Sequence, residues 1–317
     1  MPHRTGLTLV ALLLAAGPVG QACGACGCTL NSDWASQGYA TQPGFRFDLR
    51  YDYFDQDQLR SGTQPVDRGS FSLPNEHEIQ QQTLNRNVTL TLDYSPDADW
   101  GMAVMVPAYD RTHATIAAGD TAPSFSQAKG LGDVRVLGRY QGFSSDHSIG
   151  VQFGVKLPSG DTQQTFNAGA EAGQPLDAGL QLGTGTTDLL LGFYAFGSLA
   201  PDWGCFGQVL FQKPLAERHG FKPGDGVNAS LGLRYAGFAE FTPQLQLNLR
   251  AEGREIGPNA DTSNSGATLA YLSPGLTYSI SHSLQIYVFG QVPLAQRVNG
   301  LQLEPKWSAS LGMHFTF

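Results

Sequence analysis

The chain has 317 residues, a formal net charge of −8 at pH 7, only 15% charged residues and 39 glycines. This composition disfavours nucleic-acid binding, because neutralising phosphates requires concentrated Lys and Arg. After residue 22 the sequence contains no run of about 18 apolar residues, the length that a spanning helix requires. A membrane protein with this sequence would have to be a closed β-barrel, since only helices and closed barrels satisfy every backbone polar group in lipid.

The first 22 residues have the features of a secretion signal. A short polar start is followed by an apolar stretch at residues 6–16 and then by small residues. Such a segment is removed during export, so we predict a signal peptide over residues 1–22 and a mature chain that begins at Cys23. Lipidation of Cys23 is an alternative, which is weakened by Gly20 at the position where a lipobox normally has Leu.

Alternation between apolar and polar residues recurs along the rest of the chain. In Phe45–Tyr53, aromatic and aliphatic residues alternate with Arg and Asp. Successive side chains of a strand point to opposite faces, so such a segment predicts a strand with one apolar and one polar face. Further strands are predicted near Val88–Tyr94, Trp100–Tyr109, Val134–Phe143, Ile149–Leu157, Asp188–Gly197, Cys205–Lys213, Val227–Tyr235, Leu245–Glu252, Thr268–Ile280, Leu284–Leu294 and Trp307–Phe317.

The connections between these segments alternate in length. Short turns are predicted near Ser95–Asp99, Ser144–Asp146, Leu199–Asp202, Ala239–Pro243 and Ser281–Ser283. Long loops are predicted near Asp55–Thr83, Asp110–Lys129, Ser159–Thr186, Pro214–Gly226, Glu255–Ala267 and Ala295–Glu304. Bacterial barrels have an even number of strands, short periplasmic turns and long external loops. The sequence therefore predicts an all-β fold, a transmembrane antiparallel up-and-down β-barrel of about twelve strands over residues 44–317, with both termini in the periplasm.

A soluble β-sandwich is the main structural alternative, because its strands also alternate. In a sandwich the apolar face would be turned inward, whereas the polar face here is rich in Gly, Ser, Thr, Gln and Arg and suits a wet lumen. Aromatic residues near the strand ends also suit the interfacial girdles of a membrane barrel. These aromatic residues are Trp100, Trp203, Tyr235, Tyr278, Trp307 and Phe317.

The segment before the first strand, residues 23–43, is predicted to be a periplasmic N-terminal segment that contains a cysteine cluster. Cys23, Cys26 and Cys28 can form a disulfide with one thiol left over, capture a soft metal, carry lipid or pair with a partner. Three thiols without a nearby His argue against a closed zinc site, so the identity of any metal stays unknown. The residues that follow could enter the lumen as a plug or rest below it.

The closing segment, Trp307–Phe317, resembles the last strand of a bacterial outer-membrane barrel. In such proteins the C-terminal aromatic residue is part of the signal that the barrel-insertion machinery reads. The resemblance implies the outer membrane of a Gram-negative bacterium, contact with its lipid, and recognition of Phe317 by that machinery.

Three motifs resemble the outer-membrane transporter family named for the meta-pathway of phenol degradation. They are Lys-Gly-Leu-Gly-Asp at residues 129–133, Val-Lys-Leu-Pro-Ser-Gly at 155–160 and Gly-Thr-Gly-Thr-Thr-Asp at 183–188. The resemblance implies passage of small organic molecules. From the residues alone, the glycines allow unusual backbone angles or close approach where loop becomes strand, and Asp133 and Asp188 are expected to cap backbone amides or pair with a lumen Arg.

Charged residues recur on the polar faces of the predicted strands. The candidate lumen and selectivity residues are Arg46, Asp48, Arg50, Asp52, Arg135, Arg139, Lys156, Arg234, Arg250 and Glu252, with Asp93 and Arg254 on the same faces. In one interpretation, a mostly basic wall attracts anions and filters solutes. In the other, the charges form ion pairs that fill and rigidify a narrow lumen.

These observations predict a porin-like channel for passive passage of small organic or anionic solutes through a polar, partly basic lumen. An alternative is a structural or docking barrel whose cysteine cluster binds a soft metal or a periplasmic redox partner. No cofactor is expected. A barrel phospholipase would need a His and a Ser on the lipid-facing wall, whereas His314 lies on the polar face of its strand, so we do not expect an enzyme.

Overall fold

A computed structural model describes residues 30–39 and 42–317, so the predicted signal peptide and Cys23, Cys26 and Cys28 lie outside the described residues. The described part contains fifteen strands. They are β1 (Gly44–Gln56), β2 (Gln58–Gly62), β3 (Gln64–Pro65), β4 (Ile79–Ser95), β5 (Trp100–Ile116), β6 (Ser124–Leu131), β7 (Arg135–Tyr140), β8 (Ile149–Lys156), β9 (Asp188–Ala200), β10 (Trp203–Pro214), β11 (Gly226–Tyr235), β12 (Phe241–Glu252), β13 (Ala267–Ser279), β14 (Leu284–Glu304) and β15 (Ser308–Thr316).

Twelve of these strands close into one antiparallel barrel, which confirms the predicted fold class. Each strand pairs with its neighbour along the chain, from β1 through β4, β5 and β7 round to β15. The ring closes because β15 pairs with β1, with Phe47 opposite Phe315 and Tyr51 opposite Leu311. The other three strands, β2, β3 and β6, extend the wall beyond the long-loop end of the barrel.

The outer wall is apolar and the inner wall is largely polar. Leu49, Leu92, Leu231 and Val288 are exposed on the outside, while polar side chains at alternate positions are buried inside. This alternation is the one that a lipid-facing barrel requires. No helix within residues 30–39 and 42–317 is long and apolar enough to cross a membrane.

Aromatic residues form a girdle at the short-turn end of the barrel. Ring contacts link neighbouring strands there, with centroids 4.4 Å apart for Phe45 and Tyr94 and 5.1 Å apart for Trp203 and Tyr235. At the opposite end, Trp307 packs 5.6 Å from Tyr53. Amphipathic rings at both levels match the two interfaces of a membrane.

Three of the predicted loops are partly strand in the structure. β4 begins at Ile79, β5 continues to Ile116, and β14 continues to Glu304. Above the apolar band the wall continues as sheet with polar residues on both faces, so the apolar–polar alternation that would signal a strand is lost. β14 also shifts register between Val298 and Leu301 before it pairs with β2.

The connection between β8 and β9, residues 157–187, folds over the long-loop mouth of the barrel. Its Phe166, Leu176, Leu180 and Leu182 form a small apolar cluster with Ala128 of β6. The inward Arg111 donates from Nη1 to the carbonyl oxygens of residues 179 and 181, over 3.4 and 3.3 Å. This loop therefore narrows the entrance from that side.

Candidate functional site

Residues 30–39 lie inside the barrel, and we call them the lumen segment. Of the two locations left open by the sequence, the interior is the one observed. The segment folds on itself: the Asp33 carboxylate accepts from the Ala35 backbone NH over 3.0 Å, and the Tyr39 NH donates to the Trp34 carbonyl over 2.8 Å. These short-range hydrogen bonds satisfy backbone groups that are not paired with a neighbouring strand.

Trp34 is the main apolar anchor of the lumen segment. Its indole stacks on the His314 ring with centroids 4.4 Å apart and meets Tyr287 edge-on at 5.4 Å. The indole Nε1 donates to Asp48 Oδ2 over 3.0 Å, and the Tyr287 hydroxyl lies 3.0 Å from Asp48 Oδ1. The apolar ring of Trp34 is thus packed against other rings, and its polar N–H has a hydrogen-bond acceptor.

The rest of the lumen segment reaches the opposite wall. The Arg234 guanidinium lies 4.1 Å from the centre of the Tyr39 ring, and Gln246 Nε2 donates to the Asn31 carbonyl over 3.3 Å. Arg50 donates to Ser32, and Gln152 donates to Asp33. The segment is thus in contact with side chains of β1, β8, β11, β12, β14 and β15, and it crosses the lumen.

A cavity of about 250 Å³ lies beside the lumen segment, whose residues 30–35 form part of its lining. It extends from Arg46, Asp93 and Arg139 near the short-turn end toward residues nearer the long-loop end, such as Asn228. One wall, from β5, β7, β9 and β10, carries an apolar patch between polar residues such as Arg135 and Gln208; the patch consists of Ala103, Met105, Pro107, Leu137, Leu190 and Leu210. The facing wall is polar and includes Asp52, Asn87, Asn228, Ser230 and Arg250. The cavity is therefore amphipathic.

A first charge cluster, which we call the lower cluster, lies near the short-turn end. Arg46 Nη1 lies 2.6 Å from Asp93 Oδ1, and Arg139 Nη2 donates to the same oxygen over 2.9 Å. The Ser95 hydroxyl accepts from both guanidinium groups. Two cations share one carboxylate here, and all three charged side chains are largely buried.

A second charge cluster, the upper cluster, lies at the long-loop end. It contains one cation and two carboxylates, the reverse of the lower cluster. Lys156 Nζ is 3.0 Å from Asp133 Oδ2 and 3.0 Å from Asp188 Oδ2. Asp133 also accepts from the backbone NH of Gly160 and of Thr184, over 3.0 and 2.9 Å. The three motifs quoted above meet at this point. Asp133 caps backbone amides as expected, whereas Asp188 accepts from the Thr186 hydroxyl and from Gln212 Nε2. Both aspartates pair with Lys156 rather than with an Arg.

Close backbone approach explains the glycines of these motifs. A Cβ added at Gly160 would lie 2.6 Å from the Cα of Gly183, so neither residue has room for a side chain without a shift of the chain. Gly185 has φ of +68°, in the region that glycine adopts without strain. The motifs therefore form a compact junction around Lys156.

Among the other candidate residues, Arg50 pairs with Asp52 over 2.8 Å, and Arg250 pairs with Glu252. Arg135 lines the cavity, and no carboxylate oxygen within the described residues lies within 4 Å of its guanidinium. Five arginines and four aspartates line the cavity, so its charges nearly balance. Arg254 was expected on an inward face, but it is exposed and donates to carbonyls of residues 262 and 263, because β12 ends at Glu252.

Outside the spanning strands, Glu78 lies beside the inward His113 at the long-loop end. Burial alone would raise the pKa of Glu78, but the nearby polar groups of His113, whose Nε2 lies 3.9 Å from Glu78 Oε1, and of Thr115 outweigh it, and the pKa lies below its ordinary value. The carboxylate therefore stays charged at neutral pH.

The sequence placed Trp34 and Asp33 in a segment that could enter the lumen but assigned them no partners. It gave no role to Tyr287, and it treated His314 as an ordinary lumen residue. A Trp and an Asp in a short polar segment before the first strand were the available signal. The partners of Trp34 are distant in sequence. Asp48 follows Trp34 by 14 positions, and Tyr287 lies on β14, near the other end of the chain.

No protein-family model and no curated protein matches the chain. Among solved structures, an outer membrane channel from Pseudomonas putida F1 has a TM-score of 0.63 and 12% identity, covering 87% of this chain and 96% of that chain. The NanC porin gives a TM-score of 0.46 at 11% identity, covering 86% of this chain and 100% of that one. The Ralstonia pickettii toluene transporter TbuX gives 0.45 at 13% identity, covering 95% and 98%. The first of these similarities shows that the chain has the β-barrel fold of that outer-membrane protein, and its apolar outer wall fits a location in a membrane.

Proposed function

We propose that this protein is a channel in the outer membrane of a Gram-negative bacterium, for passive passage of small organic or anionic solutes, and that the lumen segment closes it. One observation carries the proposal: the lumen segment crosses the lumen and leaves only a cavity of about 250 Å³ beside it. The segment is held by side-chain contacts and is continuous with only one wall strand, β1. It can therefore move without breaking the barrel.

The resemblance of the three motifs to the phenol meta-pathway transporters supports the same assignment. We further propose that the closing strand, which ends at Phe317, is read by the barrel-insertion machinery. The site favours transport over catalysis, since His314 is stacked under Trp34 in the interior rather than placed on the lipid-facing wall.

The candidate lumen residues would set the selectivity of the open channel. Most of them are ion-paired, which favours the interpretation that they fill and rigidify the wall. Two features still favour anions: Arg46 and Arg139 share a single Asp93, and Arg135 faces the cavity. We expect the open channel to prefer anions weakly, and a reversal potential that shows cation selectivity would contradict this part of the proposal.

Single-channel recording of the refolded mature protein in a planar bilayer tests the proposal. A variant that lacks residues 30–39 should show large, steady conductance, whereas the full mature chain should show small or rare openings. Heat-dependent migration in a gel verifies that both proteins form barrels. A deletion variant that folds but remains silent would reject the channel and favour the docking alternative.

Recording with and without a reductant tests the role of the cysteine cluster. A change in the full chain on reduction, with no change in a variant that has Ser at positions 23, 26 and 28, would link the cluster to closure. Capture of a periplasmic partner that depends on the same cysteines, in the absence of conductance, would instead support docking.

A further inference from the structure

We propose that the cavity beside the lumen segment binds an amphipathic organic anion, with an apolar body of one ring or a short chain and a single carboxylate that Arg135 recognises. The inference deepens the proposed function and rests on it, because it names the solute class that the channel would admit. It is drawn from the distribution of apolar and charged side chains around the cavity.

The apolar wall is the first observation. Met105, Leu137, Leu190 and Leu210 point inward from four strands that lie close together in the barrel order and line the same cavity. The inner wall elsewhere is largely polar, so an apolar patch this size is not what an unspecific aqueous pore requires. The free energy falls when the apolar part of a solute replaces water against such an apolar surface.

Arg135 is the second observation. It lies on β7 two positions before Leu137, so both side chains point to the same face and the guanidinium borders the apolar wall. Its neighbour in the register, Lys156, is already bonded to Asp133 and Asp188. Arg135 has no carboxylate within 4 Å among the described residues, although it interacts electrostatically with Glu252 at longer range, and its five donors match a carboxylate in a two-point geometry.

The size of the cavity limits the ligand. An apolar protein cavity of about 150 Å³ accepts benzene, so a cavity of about 250 Å³ has room for one ring with a charged substituent. The polar wall opposite, with Asn87 and Asn228, can bond further oxygen atoms of such a solute. A neutral hydrocarbon would leave the Arg135 donors without an acceptor, and an ammonium group has no lone pair with which to accept from them.

Calorimetric titration of the refolded full mature chain in a non-ionic detergent tests the inference without any conductance measurement. The probes are benzoate, benzyl alcohol, benzylamine and acetate. Benzoate should bind about tenfold more tightly than benzyl alcohol, since a hydrogen bond to a charged group contributes roughly that factor. Acetate, which lacks the apolar body, and benzylamine should bind far more weakly.

Two variants complete the test. Arg135→Gln should abolish the preference for benzoate over benzyl alcohol, whereas Arg297→Gln should retain it, because Arg297 is an exposed arginine on the extension of β14. Equal affinity of wild-type protein for benzoate and benzyl alcohol would overturn the inference even if the variants failed to fold. Equal affinity for benzoate and acetate would also overturn it, by showing recognition of charge alone.

The outcomes separate this inference from the proposed function. A chain that conducts after removal of residues 30–39 but shows no preference for benzoate is a channel without the proposed solute class. A chain that binds benzoate through Arg135 but never conducts carries the site without the channel.

Discussion

The two buried charge clusters of the barrel have opposite ratios of cations to carboxylates. In the upper cluster one cation, Lys156, lies between two carboxylates, and in the lower cluster two cations, Arg46 and Arg139, share Asp93. The excess negative charge of the upper cluster is satisfied by fixed backbone amides, such as that of Gly160. The charges of the upper cluster are therefore balanced by groups of the wall and its loops alone.

The lower cluster is completed differently. Asp33 of the lumen segment interacts electrostatically with Arg139 and so supplies part of the negative charge that the wall lacks. A removable segment thus interacts with the charges at one end of the lumen, and a permanent junction balances the charges at the other. The comparison indicates that the upper cluster maintains the structure and that the lower cluster holds the closed state.

The largest expected effect comes from breaking the upper cluster. Lys156→Met leaves Asp133 and Asp188 buried together without their cation, so the free energy of unfolding should fall by about 3–5 kcal/mol. Urea titration followed by Trp fluorescence measures the change. The matched control is Lys213→Met, which removes an exposed lysine paired with Asp225 and should cost less than about 1 kcal/mol. Equal losses in the two variants would refute the role assigned to the upper cluster.

The second expected effect is on closure. Trp34→Ala removes the stack on His314 and the bond to Asp48, so the docked lumen segment should lose about 2 kcal/mol relative to the undocked one. Single-channel recording should show an open fraction that is markedly higher. Trp34→Phe keeps the aromatic ring but loses the donor, and it should give an intermediate result. An open fraction unchanged in Trp34→Ala would exclude the segment as the gate.

A smaller effect is expected from the charge of Asp33. Asp33→Asn keeps an oxygen that can accept from the Ala35 amide but removes the negative charge near Arg139. Docking should weaken by about 1 kcal/mol. Opening should also become less sensitive to salt, because the attraction between Asp33 and Arg139, which salt screens, is absent from the variant. Asp225→Asn, an exposed carboxylate on a long loop, is the control. If the salt dependence of the two variants is the same, the lower cluster does not hold the closed state through charge.

The smallest effect concerns the long-loop end and pH. The pKa of Glu78 is lower in the folded protein than in the unfolded chain, so its stabilising contribution is present above about pH 4.5 and is lost as the pH falls through the folded value. Glu78→Gln should flatten the acid side of the stability profile by no more than about 1 kcal/mol. Urea titrations between pH 3 and pH 7 measure this, and a steeper profile in the variant would show that the sign is wrong.

The barrel was predictable from sequence because its wall has a local signal. In β1 and β15 the period of two is visible over the whole strand, and the register follows once the apolar face is set. The same reasoning located Arg46, Asp48 and Arg139 on the inner face. It failed where both faces are polar, as in the extensions of β4 and β14, because no alternation distinguishes strand from loop there.

The site was less predictable because its contacts join residues far apart in the chain. Trp34 meets His314, and Asp33 meets Gln152, and no local pattern links the members of either pair. The partners of Lys156 are the exception. The motifs that contain Asp133 and Asp188 were recognisable, although their convergence on one amine required the three-dimensional structure.

The location of the lumen segment has a consequence for biogenesis. Its seat is built from β1 on one side of the seam and from β14 and β15 on the other, so it does not exist until the first and last strands pair. Residues 30–39 therefore gain these contacts only after β1 and β15 have paired, although they are synthesised before the strands of the wall. Docking of the lumen segment thus depends on closure of the barrel.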